Sequence, residues 1–142
     1  MKKKGVAIMG LDNGFKVKSN KRQITREMLP EGIVYPFDFE PTEVVYWRKN
    51  WGLRNAVMNH FGWRRANIDQ WQFNIESAKG VMELILIIAS FLDPVKWDDE
   101  GDSIWDFDEI KNVLVQNIVN LALVKSFMEA NPDAYLEFYD SY

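Results

Sequence analysis

Between Val81 and Leu92 only Glu83 and Ser90 are polar, and the apolar residues fall nearly all round a helix rather than on one stripe. A helix of that kind must be covered on several sides, so the rest of the chain has to supply layers around it. The run is also shorter than the roughly 20 apolar residues that cross a bilayer. Asp93-Pro94 closes it, because the residue before a proline is pushed out of the helical region. The sequence therefore predicts an interior helix over residues 76–92 and argues against a membrane as partner.

At 142 residues, 47% of them hydrophobic and 14% aromatic, the chain has material for one core, and a single domain over residues 1–142 is expected. It has no cysteine, which excludes disulfides, a thiol nucleophile and cysteine-ligated metal centres and suggests a cytoplasmic protein. A signal peptide is not indicated, since only Val6 to Leu11 follows Lys2-Lys3-Lys4 before Asp12. The net charge of −4 argues against nucleic acid as partner, because phosphate contacts need a basic footprint. The charge is unevenly spread: residues 42–68 carry five basic side chains and one acidic, residues 93–142 three basic and twelve acidic.

The order of elements follows from local pattern. Gly5 to Leu11 and Phe15 to Lys18 read as two arms of a β-hairpin turning at Asp12-Asn13-Gly14, because Asn and Gly tolerate the positive φ of a tight turn. Residues 19–41, broken by Pro30, Gly32, Pro36 and Pro41, read as an irregular connection with one helical turn near Thr25 to Leu29. Val44, Trp47, Trp51, Met58 and Phe61 recur at helical spacing, so a helix is expected over residues 42–61, with Thr42 as its N-cap, Glu43 in its first turn and Gly62 at its end. Gln70 to Ile75 alternates polar with apolar as a half-buried strand does. A short strand is expected at 103–106 and a long helix over 106–130, opened by Asp106, Asp108 and Glu109 at its positive end. Ile110, Val113, Leu114, Ile118, Leu121, Val124 and Met128 form that helix's stripe, which Val115, Val119 and Ala122 widen. Asn131-Pro132-Asp133 reads as the start of a final short helix.

Residues 44–65 also supply the candidate interaction surface. Tyr46, Arg48, Lys49, Arg54, Arg64 and Arg65 combine aromatic and basic side chains, the types that dominate interfaces and grip carboxylates. At least one of Arg48 and Arg54 is expected to meet a carboxylate from residues 93–109. Other chemistry finds little support. Asp98, Glu100, Asp102 and Glu109 fall at positions 1, 3, 5 and 12 of a calcium loop, but Ser103 stands where that loop needs glycine. His60 is the only histidine, and no serine sits in a nucleophile elbow. No catalytic residue, metal or cofactor is assigned.

Met9-Gly10-Leu11-Asp12 followed by Tyr46-Trp47-Arg48-Lys49 resembles a family of small uncharacterised proteins from phages, prophages and gut-type bacteria. Those proteins begin at the methionine of the first motif, which marks residues 1–8 here as a candidate N-terminal extension. Where many of them carry Ala-Asn and then Ile-His after the second motif, this chain has Asn50 to Arg54. The resemblance implies a shared fold and a mobile-element origin; the family brings no activity with it.

Taken together, the sequence predicts an α+β fold. Its small, mainly antiparallel sheet comes from residues 5–19, 71–75 and 103–106 and packs against helices at 42–61, 76–92 and 106–130. The expected function is that of a non-enzymatic accessory protein that binds another protein, with a homo-oligomer compatible with the sequence. The alternatives are a metal-dependent enzyme using the carboxylates of residues 98–109 and, more weakly, a nucleic-acid-binding protein using residues 44–65.

Overall fold

A computed structural model describes residues 12–62, 73–93 and 107–141. Four strands form one antiparallel sheet: β1 (Asp12–Ser19), β2 (Glu43–Arg48), β3 (Asn74–Ile75) and β4 (Ala134–Ser141). Their order across the sheet is β2-β1-β4-β3, so the first and last described strands lie side by side at its centre. Three helices accompany them, α1 (Trp51–Phe61), α2 (Ala78–Ser90) and α3 (Phe107–Ala130), with a 3-10 turn at Arg26–Met28. The fold is α+β, as the sequence predicts.

The sheet has two unlike faces because side chains alternate along each strand. Phe15 and Val17 of β1, Val45 and Trp47 of β2, and Leu136 and Phe138 of β4 are buried on the inner face. Phe15 meets Trp47 at 6.3 Å and Phe138 at 5.2 Å between ring centroids. Phe73 stacks on Phe138 and in turn on Phe61 of α1, which fixes that helix to this face. Each such side chain, fully buried, contributes roughly 1.5–3 kcal/mol.

The helices begin where side chains can accept backbone N–H groups. Asn50 accepts from Leu53 N at 3.0 Å at the start of α1, and Ser77 accepts from Gly80 N at 3.1 Å at the start of α2. Gly62 ends α1 with its N–H on the Met58 carbonyl, 3.0 Å away. α3 packs on α2 and on the edge strand β2. There it does more than bury apolar surface. Asn117 bonds both the N–H and the carbonyl of Tyr46, and Asn120 donates to the carbonyls of Val44 and Val34 while accepting from Val34 N. Two helix asparagines thus satisfy the open edge of β2, which would otherwise offer unpaired groups to another strand.

Three expectations are corrected. Residues 42–61 are a strand followed by a helix, because Val45 to Trp47 are β-formers that pair with β1, and the chain breaks at Lys49, whose φ of 54° belongs to neither element. Asp12-Asn13-Gly14 is not a turn but the start of β1, paired with β2 on one side and β4 on the other; residues 5–11, the other arm of the expected hairpin, lie outside the described residues. Asn131 to Asp133 leads into a strand and not a helix: Ala134, Leu136 and Phe138 alternate with Tyr135, Glu137 and Tyr139 and complete the sheet centre.

The predicted helices at 76–92 and 106–130 are present as α2 and α3, and the strand at 71–75 is present as Asn74–Ile75. The expected strand at 103–106 and the acidic residues 94–106 lie outside the described residues. α2 is covered less completely than its composition implies: Val81, Leu84 and Ile88 are fully buried, but Leu86 is 63% exposed. Val115 and Val119 also face outward, so they do not widen the buried stripe of α3. Among the described residues one helix, Asp108–Ala130, is long and apolar enough to cross a membrane by length and composition. In this fold it carries the buried Asn117 and Asn120 that bind β2.

Candidate functional site

The outer face of the sheet brings ionisable and aromatic groups together. Asp12, Gly14 and Lys16 of β1 stand opposite Arg48, Tyr46 and Glu43 of β2, and opposite Ser141, Tyr139 and Glu137 of β4. The connection through Phe37, Phe39 and Glu40 runs beside them and closes a cleft of about 380 Å³. Phe37 meets Tyr46 edge-on with ring centroids 4.9 Å apart, and Phe39 packs against Phe37 at 5.0 Å while remaining 75% exposed.

Two tyrosine–carboxylate pairs lie along the cleft. Tyr46 OH donates to Asp12 Oδ1 at 2.9 Å, and Tyr139 OH donates to Glu43 Oε2 at 2.5 Å. Gly14 makes the second pair possible, because a Cβ there would lie 2.6 Å from Glu43 Oε2 and 2.7 Å from Tyr139 Cε2. Burial pushes the Glu43 carboxyl above its ordinary range, while the Tyr139 hydroxyl and Lys16 pull the other way. Burial and the adjoining carboxylates also push both phenols up, so Tyr46 and Tyr139 stay neutral donors at neutral pH. Lys16 Nζ bonds Glu40 Oε1 at 2.9 Å and stands 5.8 Å from the centroid of the Tyr139 ring.

The sequence-predicted surface is divided by this geometry. Tyr46 and Arg48 share the outer face around Asp12, with Arg48 Nε 3.7 Å from Asp12 Oδ1. Lys49 sits at the break between β2 and α1. Arg54 is buried on the inner side, where its guanidinium grips Asp140 through two contacts of 2.8 and 2.7 Å, so it is not an open surface residue. This described partner comes from β4, while residues 94–106, which hold most of the carboxylates expected to meet Arg48 or Arg54, lie outside the described residues. Arg64 and Arg65 also lie outside them.

Asp12, Lys16, Glu40, Glu43, Phe37, Phe39 and Tyr139 were not candidates from sequence, because nothing local shows that residues 12 and 139 are neighbours. The available signal was the period-two alternation of Ala134 to Phe138, which marks a strand and would have brought Tyr139 to a sheet face. Among the described residues no group of three or more His, Asp or Glu side chains is arranged to hold a metal ion. Set against protein-family models, curated proteins and solved structures, the chain matches none.

Proposed function

We propose that this chain is a non-enzymatic accessory protein of phage or mobile-element origin, acting in the cytoplasm, which holds another protein in the outer-face cleft. The observation that carries the reading is Phe39, a large ring 75% exposed on the rim of a cleft lined by hydrogen-bonded carboxylates and tyrosines. A lone exposed ring needs no explanation. An exposed ring beside a concave polar floor has the composition of an interface anchor, where aromatic side chains contribute most of the binding energy. The mobile-element origin rests on the Met9–Asp12 and Tyr46–Lys49 resemblance. The carboxylate lining and the enclosure of Arg54 favour a protein over a nucleic acid as partner.

The test is capture from a lysate of the native host with wild-type and Phe39→Ala protein as baits, read by mass spectrometry. A discrete protein retained by the wild type and lost by the variant supports the reading. Identical captures with both baits overturn it.

One observation favours a second reading, a small carboxylate-based enzyme. Glu43 is 2% exposed, with its carboxyl pushed up by burial and a tyrosine hydroxyl 2.5 Å away, the environment in which a carboxylic acid keeps its proton above its ordinary range. Under that reading the wild type shows a turnover that Glu43→Gln abolishes; under the binding reading neither protein shows one.

A further inference from the structure

We infer that the outer-face cleft accepts a basic side chain, a lysine or arginine presented by an extended segment of the partner protein. The inference rests on the reading of the cleft as a docking face and adds the chemistry of what docks.

Charge is the first argument. Three carboxyl groups, those of Asp12, Glu40 and Glu43, line the cleft against two cations, Lys16 bonded to Glu40 at 2.9 Å and Arg48 at 3.7 Å from Asp12, so the balance is acidic by one group. The tyrosine hydroxyls that bond Asp12 and Glu43 are neutral, so they satisfy lone pairs without cancelling charge. An acidic segment would find both of these cations already held by carboxylates. A purely apolar one would strip water from Asp12 and Glu40, whose side chains are 38% and 35% exposed, and return nothing.

The second argument is the wall. The rings of Phe37, Phe39, Tyr46 and Tyr139 border those carboxylates, and a cation held over an aromatic face is attracted by the ring's quadrupole. The protein already uses this arrangement on its own side chains. Lys16 bonds Glu40 at 2.9 Å and lies 5.8 Å from the Tyr139 centroid, and in the adjoining connection the Arg26 guanidinium lies 3.9 Å from the Tyr35 ring centroid. A partner's ammonium or guanidinium set between Phe39, Tyr46, Asp12 and Glu40 would repeat the same pairing of ring and carboxylate. Size agrees: about 380 Å³ lies at the small end of ligand sites and suits one long side chain rather than a helix.

The experiment is an NMR titration of the full chain at low ionic strength, where exposed charges are least screened. The probes are end-capped glycine–X–glycine peptides with X as lysine, arginine, Nε-acetyl-lysine or glutamate. The lysine or arginine peptide is expected to shift the ring signals of Phe39 and Tyr46 and to bind at least about tenfold more tightly than the other two. Glu40→Gln, on an exposed connection where folding is not at stake, is expected to weaken the basic peptide several-fold, as is Asp12→Asn. Equal binding of the acetylated peptide, preference for glutamate, or no shift at Phe39 and Tyr46 overturns the inference. The two readings fail separately. Phe39-dependent capture without preference for a basic peptide keeps the docking face and removes this ligand chemistry. Preference for the basic peptides with capture indifferent to Phe39→Ala keeps the chemistry and removes the docking face.

Discussion

Arg54 and Asp140 form a two-point ion pair inside the fold, Nε to Oδ1 at 2.8 Å and Nη2 to Oδ2 at 2.7 Å, with side chains 7% and 5% exposed. Asn13 Nδ2 adds a third donor to the same carboxylate at 2.6 Å. The pair ties α1 to β4 and, through Asn13, to β1. Removing one member leaves a buried charge uncompensated, so Arg54→Met or Asp140→Leu should each cost about 3–5 kcal/mol. The double variant should lose much less than the sum, because neither charge is then stranded. Urea unfolding of the four proteins checks this; simple additivity would show that the two side chains do not depend on each other.

Gly14 is where β1 passes beneath Glu43 and Tyr139. The methyl of Gly14→Ala would meet both side chains and the Val45 carbonyl, in a strand paired on both sides. The expected loss is about 1–3 kcal/mol, the usual cost of overpacking a filled interior. A melt unchanged from wild type would mean that the strands separate there without cost.

Glu43 gives a pH dependence with a definite sign. Burial raises its folded-state value above the ordinary 4.5, so between those two values the folded chain holds a proton that the unfolded chain has released. Stability then falls as pH rises through that window; the contribution of Glu43 is complete below 4.5 and gone above its raised value. Glu43→Gln lacks the titration yet still accepts from Tyr139. The stability of wild type relative to this variant should therefore decline as pH is raised from 4.5, measured by denaturation at each pH. A difference that stays flat or grows with pH contradicts the assignment.

Asn120 is 1% exposed and serves two backbone segments. Asn120→Ala leaves the carbonyls of Val34 and Val44 and the N–H of Val34 without that partner. The expected cost is about 1–3 kcal/mol, with faster hydrogen exchange at the Val34 amide. Protection unchanged at Val34 would show that the connection is held by something else.

The helices that carry strong local signals were legible in the sequence: the apolar run that became α2, the acidic opening and stripe of α3, and the turn after Thr25. Of the strands, Phe15 to Lys18 and Asn74–Ile75 were legible from their alternation, but β2 and β4 were not. Val44 and Trp47 fit helical spacing by coincidence, and what decides their conformation is the pairing of β2 with β1 and the asparagines of α3, contacts that no local window contains. Asn13-Gly14 looks like a turn because both residues tolerate positive φ. Here they serve other ends, Asn13 bonding Asp140 and Gly14 making room for Glu43 and Tyr139. The candidate cleft was hidden for the same reason, being assembled from residues 12–16, 37–46 and 139–141. Among the described residues of the expected surface, Tyr46 and Arg48 belong to its neighbourhood.

The most direct measurement is photo-crosslinking in the native host. Phe39 is replaced by photoreactive benzoylphenylalanine, and a second protein carries the same group at Leu86, which is exposed on α2. The account predicts a discrete adduct with one protein at position 39 and not at 86, its attachment mapping beside a lysine or arginine of the partner. No adduct at 39, or the same adducts at both positions, would contradict it.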